Sequence, residues 1–151
     1  KSTADFQQLA DLGLRRVYLG IESGSSDLLE FLQKEQSPGN IISLCENLSS
    51  AGINLGLIFL AGAGGEKYRD QNQEDSLNLL RKIPFTEDDI IYVSEFTATN
   101  REYLHKMDQN KIDIPSYPSI QNMANELKIK IRNTVPAGVK VATYDIRQYI
   151  Y

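Results

Sequence analysis

The segment INLGLIFLAG, residues 53–62, decides how the rest of this 151-residue chain is read. It is a near-continuous apolar run of strand length, and a strand apolar on both faces is one covered on both, as the strands of parallel sheets are. Upstream, Ile41, Leu44, Cys45, Leu48 and Ala51 fall on one helical face. Asn40 is the predicted N-cap of that helix, and Gly52 supplies the left-handed residue that closes it. Before Ser37-Pro38-Gly39 comes a short helical stretch over residues 27–32, and before that RVYLGIESGS, residues 16–25. This stretch reads as a strand that ends in a carboxylate and then in a Ser-Gly-Ser turn. At the N-terminus Phe6, Leu9 and Ala10 form one apolar stripe that Gly13 ends.

Downstream, a glycine-rich turn over residues 62–66 leads to a helix predicted from about residue 73 to 83, stopped by Pro84. The third strand is IIYVSEF, residues 90–96. Residues 100–117 are polar and are expected to form a long loop that serves as a lid or faces a partner. Ser119 then opens a helix with Ile120, Met123, Ala124, Leu127 and Ile131 at helical spacing. Lys128, Lys130 and Arg132 suit the negative end of its dipole. A last strand is expected over residues 139–144, and Tyr144, Tyr149 and Tyr151 are expected to pack rather than react. The organisation is thus residues 1–99 as a β/α unit, with residues 100–151 as a loop, helix and terminal strand packed on it.

Composition excludes several classes. The net charge is −4 and no run of like charge is long enough for a polyanion-binding arm, so nucleic acid is not an expected partner. No stretch approaches the roughly twenty apolar residues of a membrane span, and the N-terminus lacks the layout of a signal peptide. A cytoplasmic protein is expected. With one cysteine, Cys45, an internal disulfide and a multi-thiolate metal site are both excluded within the chain. Lys1 leads almost at once into a helix, so the chain is expected to begin mid-fold.

Strands alternating with helices predict an α/β fold of parallel β/α units, either an open doubly wound sheet or part of a barrel. In both, ligands lie beyond the C-terminal ends of the strands. Those ends carry Glu22, the turn from Gly62 to Glu66, and Glu95, one acid for each strand. Period-two geometry gives Val17, Leu19 and Ile21 to the helix side and Tyr18, Gly20 and Glu22 to the other. There a glycine makes room and a carboxylate can accept hydrogen bonds from paired hydroxyls such as those of a ribose. The same logic puts Gly56, Ile58 and Leu60 on that face, so a flat apolar ring could lie over Ile58.

GLRRVYLGIESGS, a short helix and Lys34, followed by AGINLGLIFLAGAGGE, resembles the second half of a radical S-adenosylmethionine (SAM) domain, in the iron-sulfur oxidoreductase branch with the ESGS turn. The resemblance runs from about residue 12 to 96 and implies a partial TIM-type barrel of which these strands are the fourth to sixth. It implies that Glu22 binds the SAM ribose with Ser23 and Ser25 nearby, that Ile58 and the turn from Gly62 wall the adenine, and that Tyr92 to Ser94 flank it. The implied chemistry is cleavage of SAM by a reduced [4Fe–4S] cluster, giving a 5′-deoxyadenosyl radical that abstracts hydrogen from a substrate.

The CxxxCxxC motif that holds such a cluster is absent, as is the glycine-rich methionine-binding turn, and Leu60 stands where the family's second fifth-strand glycine would be. The chain therefore reads as the C-terminal part of a longer enzyme. Its partner is the missing N-terminal half, and the fragment by itself is expected to bind neither SAM nor cluster. Each feature has a plainer rival. Glu22 can simply pair with Arg15, Arg16 or a loop lysine; Gly62 to Glu66 can be a tight turn, with no P-loop lysine to make it a phosphate site. His105 reads as a surface residue and Cys45 as a buried structural thiol. Two other classes remain open: a non-redox nucleotide- or metabolite-binding α/β module, and an interaction domain that forms a homo-oligomer through its open sheet edges.

Overall fold

Parallel pairing joins every pair of neighbouring strands in the computed structural model, which describes residues 1–97 and 101–144. In chain order the elements are α1 (Thr3–Asp11), β1 (Arg16–Glu22), α2 (Ser26–Phe31), α3 (Pro38–Ser50), β2 (Asn54–Ala61), α4 (Gly65–Leu80), β3 (Ile90–Glu95), α5 (Arg101–Gln109), α6 (Tyr117–Arg132) and β4 (Lys140–Tyr144). The sheet order is β1-β2-β3-β4, so each crossover steps the chain in the same direction. A right-handed connection that never reverses direction returns each helix to the same face. A doubly wound sheet needs a reversal, and none occurs among the described residues.

Side-chain burial follows from this one-sidedness. Ile21, Leu55, Leu57, Phe59, Ile91, Val93 and Val141 share one core with α1, α3, α4 and α6. Leu55, Leu57 and Phe59 are wholly enclosed, each worth roughly 1.5–3 kcal/mol relative to exposure. The alternate residues form the other face, which no described helix covers. Across it Gly20 is in register with Ile58, Ile58 with Tyr92, and Tyr92 with Ala142.

Four local expectations need correction. Ser37, not Asn40, caps α3: its hydroxyl accepts from the Asn40 N–H at 3.3 Å, and Pro38 occupies the first turn, where its missing donor costs nothing. The helix expected from residue 73 begins at Gly65, eight residues earlier. The part that was missed, residues 65–72, buries Gly65 and Asn72 and no aliphatic, so apolar periodicity could not reveal it. Residues 100–117 are not one loop, because α5 lies within them; it buries Met107 and packs with Leu28, Phe31 and Ile112 in a second, smaller core. Finally, Ser116 rather than Ser119 opens α6, accepting from the Ser119 N–H at 3.4 Å. The expected boundary at residues 99 and 100, and Tyr149 and Tyr151, lie outside the described residues.

Candidate functional site

At the end of β1 the regular alternation breaks. Gly20 pairs with Ile58 but Glu22 pairs with Phe59, so Ile21 is the extra residue of a bulge. Glu22 has φ +63°, and the Ser23 N–H donates to the Ile21 carbonyl at 2.7 Å. A hydrogen bond from residue i+2 to i across a positive-φ centre is a γ-turn of the rarer, strained form. Glu22 is therefore in register with a core residue, yet its Oε1 lies 3.3 Å from where a Gly20 Cβ would sit. The carboxylate is folded back over Gly20 on the uncovered face.

Its partners come from the segment after α2. Lys34 Nζ donates to Glu22 Oε1 at 2.9 Å, with the Glu22 side chain 19% exposed and that of Lys34 43%. The loop lysine of the plainer reading is thus present. Oε2 accepts no hydrogen bond among the described residues and leaves the carboxylate with acceptor capacity.

The Ser-Gly-Ser turn faces inward, towards α4. Ser23 Oγ donates to Asn72 Oδ1 at 2.5 Å, Ser76 Oγ donates to the same oxygen at 3.2 Å, and the Gly24 N–H donates to Ser76 Oγ at 2.9 Å. The Ser25 N–H donates to Ser23 Oγ at 2.9 Å. Ser23 and Ser25 are fully buried. The Ser23 hydroxyl is spent on Asn72, whereas Ser25 Oγ is enclosed without a hydrogen-bond partner among the described residues. These polar residues buried on α4 are what sequence reasoning missed; the signal was a Ser-Gly-Ser turn facing a polar helix stretch.

Ile58 is half-buried on the uncovered face, beside Gly20 and Tyr92. The Tyr18 ring covers Gly56 there, since a Cβ on Gly56 would meet Tyr18 Cδ1 at 2.3 Å, and its centroid is 6.2 Å from that of Tyr92. Tyr92 and Tyr144 continue the row with centroids 5.6 Å apart. Gly62 is not on this face: at φ +87° it packs against Ile120 of α6, whose Cγ1 would lie 2.9 Å from an added Cβ. Behind it, the Gly64 N–H donates to Tyr103 Oη at 3.0 Å, and burial pushes the Tyr103 hydroxyl above its ordinary value.

The structure therefore brings Glu22, Gly20, Ile58 and Tyr92 together and holds Ser23, Ser25 and Gly62 behind them. It does not gather one acid from each strand. Glu66 lies in the first turn of α4, bonded to Arg69 at 3.1 Å, and Glu95 is in register with Ala61, a core-facing residue. A strand of six residues keeps its alternation to the end, and this puts Glu95 on the parity of Ile91 and Val93. Arg69 also bonds Glu126 at 2.6 Å, and this guanidinium lowers the Glu126 carboxyl below its usual range.

No group of three or more His, Cys, Asp or Glu suited to a metal occurs among the described residues. Cys45 is fully enclosed on the inner face of α3, and burial pushes its thiol up to about 12. A cluster needs thiolates, so Cys45 does not fit the role of ligand. His105 is exposed, paired with Gln109 at 2.9 Å.

The class defined so far is a singly wound α/β sheet with a carboxylate at the carboxyl end of its first strand. No protein-family model matches the chain, and no curated protein matches it either. Among the described residues no helix is long and apolar enough to cross a membrane.

Proposed function

We propose that this chain is the nucleoside-holding part of a radical SAM enzyme, with its sheet forming an arc of a partial TIM-type barrel. The observation that carries the reading is the Glu22 carboxylate held over Gly20, in line with Ile58 and Tyr92 at the carboxyl ends of parallel strands. A nucleoside needs an acceptor for two adjacent hydroxyls and a flat apolar surface for its base, and these residues fit both demands.

Glu22 accepts from the ribose through the oxygen that Lys34 leaves open. Ile58 lies under the base, and Gly20 provides the depth that lets the sugar approach the strand. Ser23, Gly24 and Ser25 tie the turn to α4 instead of touching the ligand, and Gly62 sets the path into α4. When bound, SAM with a reduced [4Fe–4S] cluster supplies the radical chemistry, which is the cofactor's own. No residue described here fits the cluster, so its ligands and the substrate-binding remainder belong to the N-terminal half of the enzyme.

The test is equilibrium binding of SAM to the full-length reconstituted protein. Glu22→Gln keeps the shape and removes the charge, and it is expected to weaken binding on the order of tenfold, as loss of a charge-assisted hydrogen bond does. Unchanged affinity would remove the ribose role.

A further inference from the structure

The geometry points to Gln36 as the positioning residue for the Glu22 carboxylate. Its side-chain amide donates to two successive backbone carbonyls of β1, Gly20 O at 3.0 Å and Ile21 O at 2.7 Å. In a regular strand successive carbonyls point to opposite sides, and one amide cannot reach both. Here it can, because the bulge at Ile21 turns both to the same side. β1 is the edge of the sheet, so on its outer side no neighbouring strand among the described residues competes with Gln36.

A positive-φ glutamate in a γ-turn is strained and persists only where its surroundings over-determine it. Two anchors flank Glu22. On its C-terminal side Ser23 and Gly24 are tied to Asn72 and Ser76 of α4. On its N-terminal side the anchor is Gln36, which bonds the same Ile21 carbonyl that closes the γ-turn. Lys34, two residues earlier, holds the side chain itself. Without the Gln36 amide, Gly20 and Ile21 are free to regain regular alternation and Glu22 to leave the left-handed region. The segment between α2 and α3 thus grips one acid twice, by backbone through Gln36 and by charge through Lys34.

This inference rests on Glu22 serving as the ribose acceptor for its functional consequence, but not for its structural content. The test therefore has two arms. In the 151-residue chain, the 13Cα and 13Cβ shifts of residue 22 report whether it keeps a left-handed φ. In the full-length reconstituted protein, equilibrium dialysis gives the affinity for SAM. Gln36→Met keeps length and removes both donors, whereas Gln36→Lys restores a donor. Gln36→Met is expected to shift residue 22 towards the extended range and to weaken SAM binding on the order of tenfold, as loss of an orienting partner does. Gln36→Lys is expected to recover both, a rescue that loss of loop packing would not show. A residue 22 whose shifts are the same in Gln36→Met as in the parent overturns the proposal. If Glu22→Gln leaves SAM affinity unchanged while Gln36→Met still moves residue 22, the ribose reading fails and the positioning role stands.

Discussion

Gly24 packs so closely against α4 that a Cβ added to it would lie 2.5 Å from the backbone carbonyl oxygen of Asp75. Backbone cannot yield as a side-chain tip can, so Gly24→Ala is expected to destabilise the protein by about 1–3 kcal/mol through overpacking. Gly20→Ala meets only the tip of Glu22 at 3.3 Å and should change stability by less than about 0.5 kcal/mol. Its methyl would instead displace the carboxylate, which under the proposed function weakens SAM binding. Urea midpoints for the two variants, beside SAM affinity in the longer enzyme of the proposed function, check the pair; equal stability losses would contradict it.

Glu22 stores strain that glycine would not. Comparing Glu22→Gly with Glu22→Ala removes the Lys34 salt bridge from the difference, since both lose it. The glycine variant is expected to be the more stable by about 1–2 kcal/mol, the cost of holding a non-glycine residue at positive φ. Thermal unfolding decides the matter, and an alanine variant at least as stable as glycine would show that the turn is unstrained.

The two serines of the turn should respond in opposite ways. Ser23→Ala leaves Asn72 Oδ1 and the Ser25 N–H without their shared partner and should cost about 1–3 kcal/mol. Ser25 Oγ is buried without a hydrogen-bond partner among the described residues, so Ser25→Ala is expected to be neutral or to stabilise by up to about 1 kcal/mol. A chemical-denaturation series on both variants measures this, and a large loss for Ser25→Ala would mean that its hydroxyl is bonded in solution.

Cys45 has its thiol raised from an ordinary value of 9.0 to about 12 by burial, with the nearby Asp89 and Glu46 charges adding to the effect. The sign follows from linkage: the folded state favours the neutral thiol, so this contribution to stability is complete below pH 9 and is lost as pH rises towards 12. Folded protein at pH 8 should therefore resist a thiol reagent such as DTNB, and denatured protein should react with one equivalent. Rapid labelling of the native chain would place the thiol outside the core.

Much of the fold could be read from local pattern. The apolar run over residues 53–62 and the aliphatic alternation of residues 17–21 specify strands by the side-chain period of a pleated backbone, and that period also assigned Gly20 and Ile58 to one face. Helices α1 and α3 were legible for the same reason, through periodic burial of aliphatics. The first half of α4 and all of α5 escaped because what they bury is Gly65, Asn72 and a lone Met107, which leave no apolar period.

What the sequence by itself determined was which residues alternate and where strands end, because those depend on contacts a few residues apart. That Glu22 reaches the uncovered face through a bulge, bridged by Gln36 and Lys34 and backed by Asn72 of α4, was decided only by the tertiary structure. A left-handed glutamate is locally unfavourable, and only partners reached across up to 52 residues of chain hold it there.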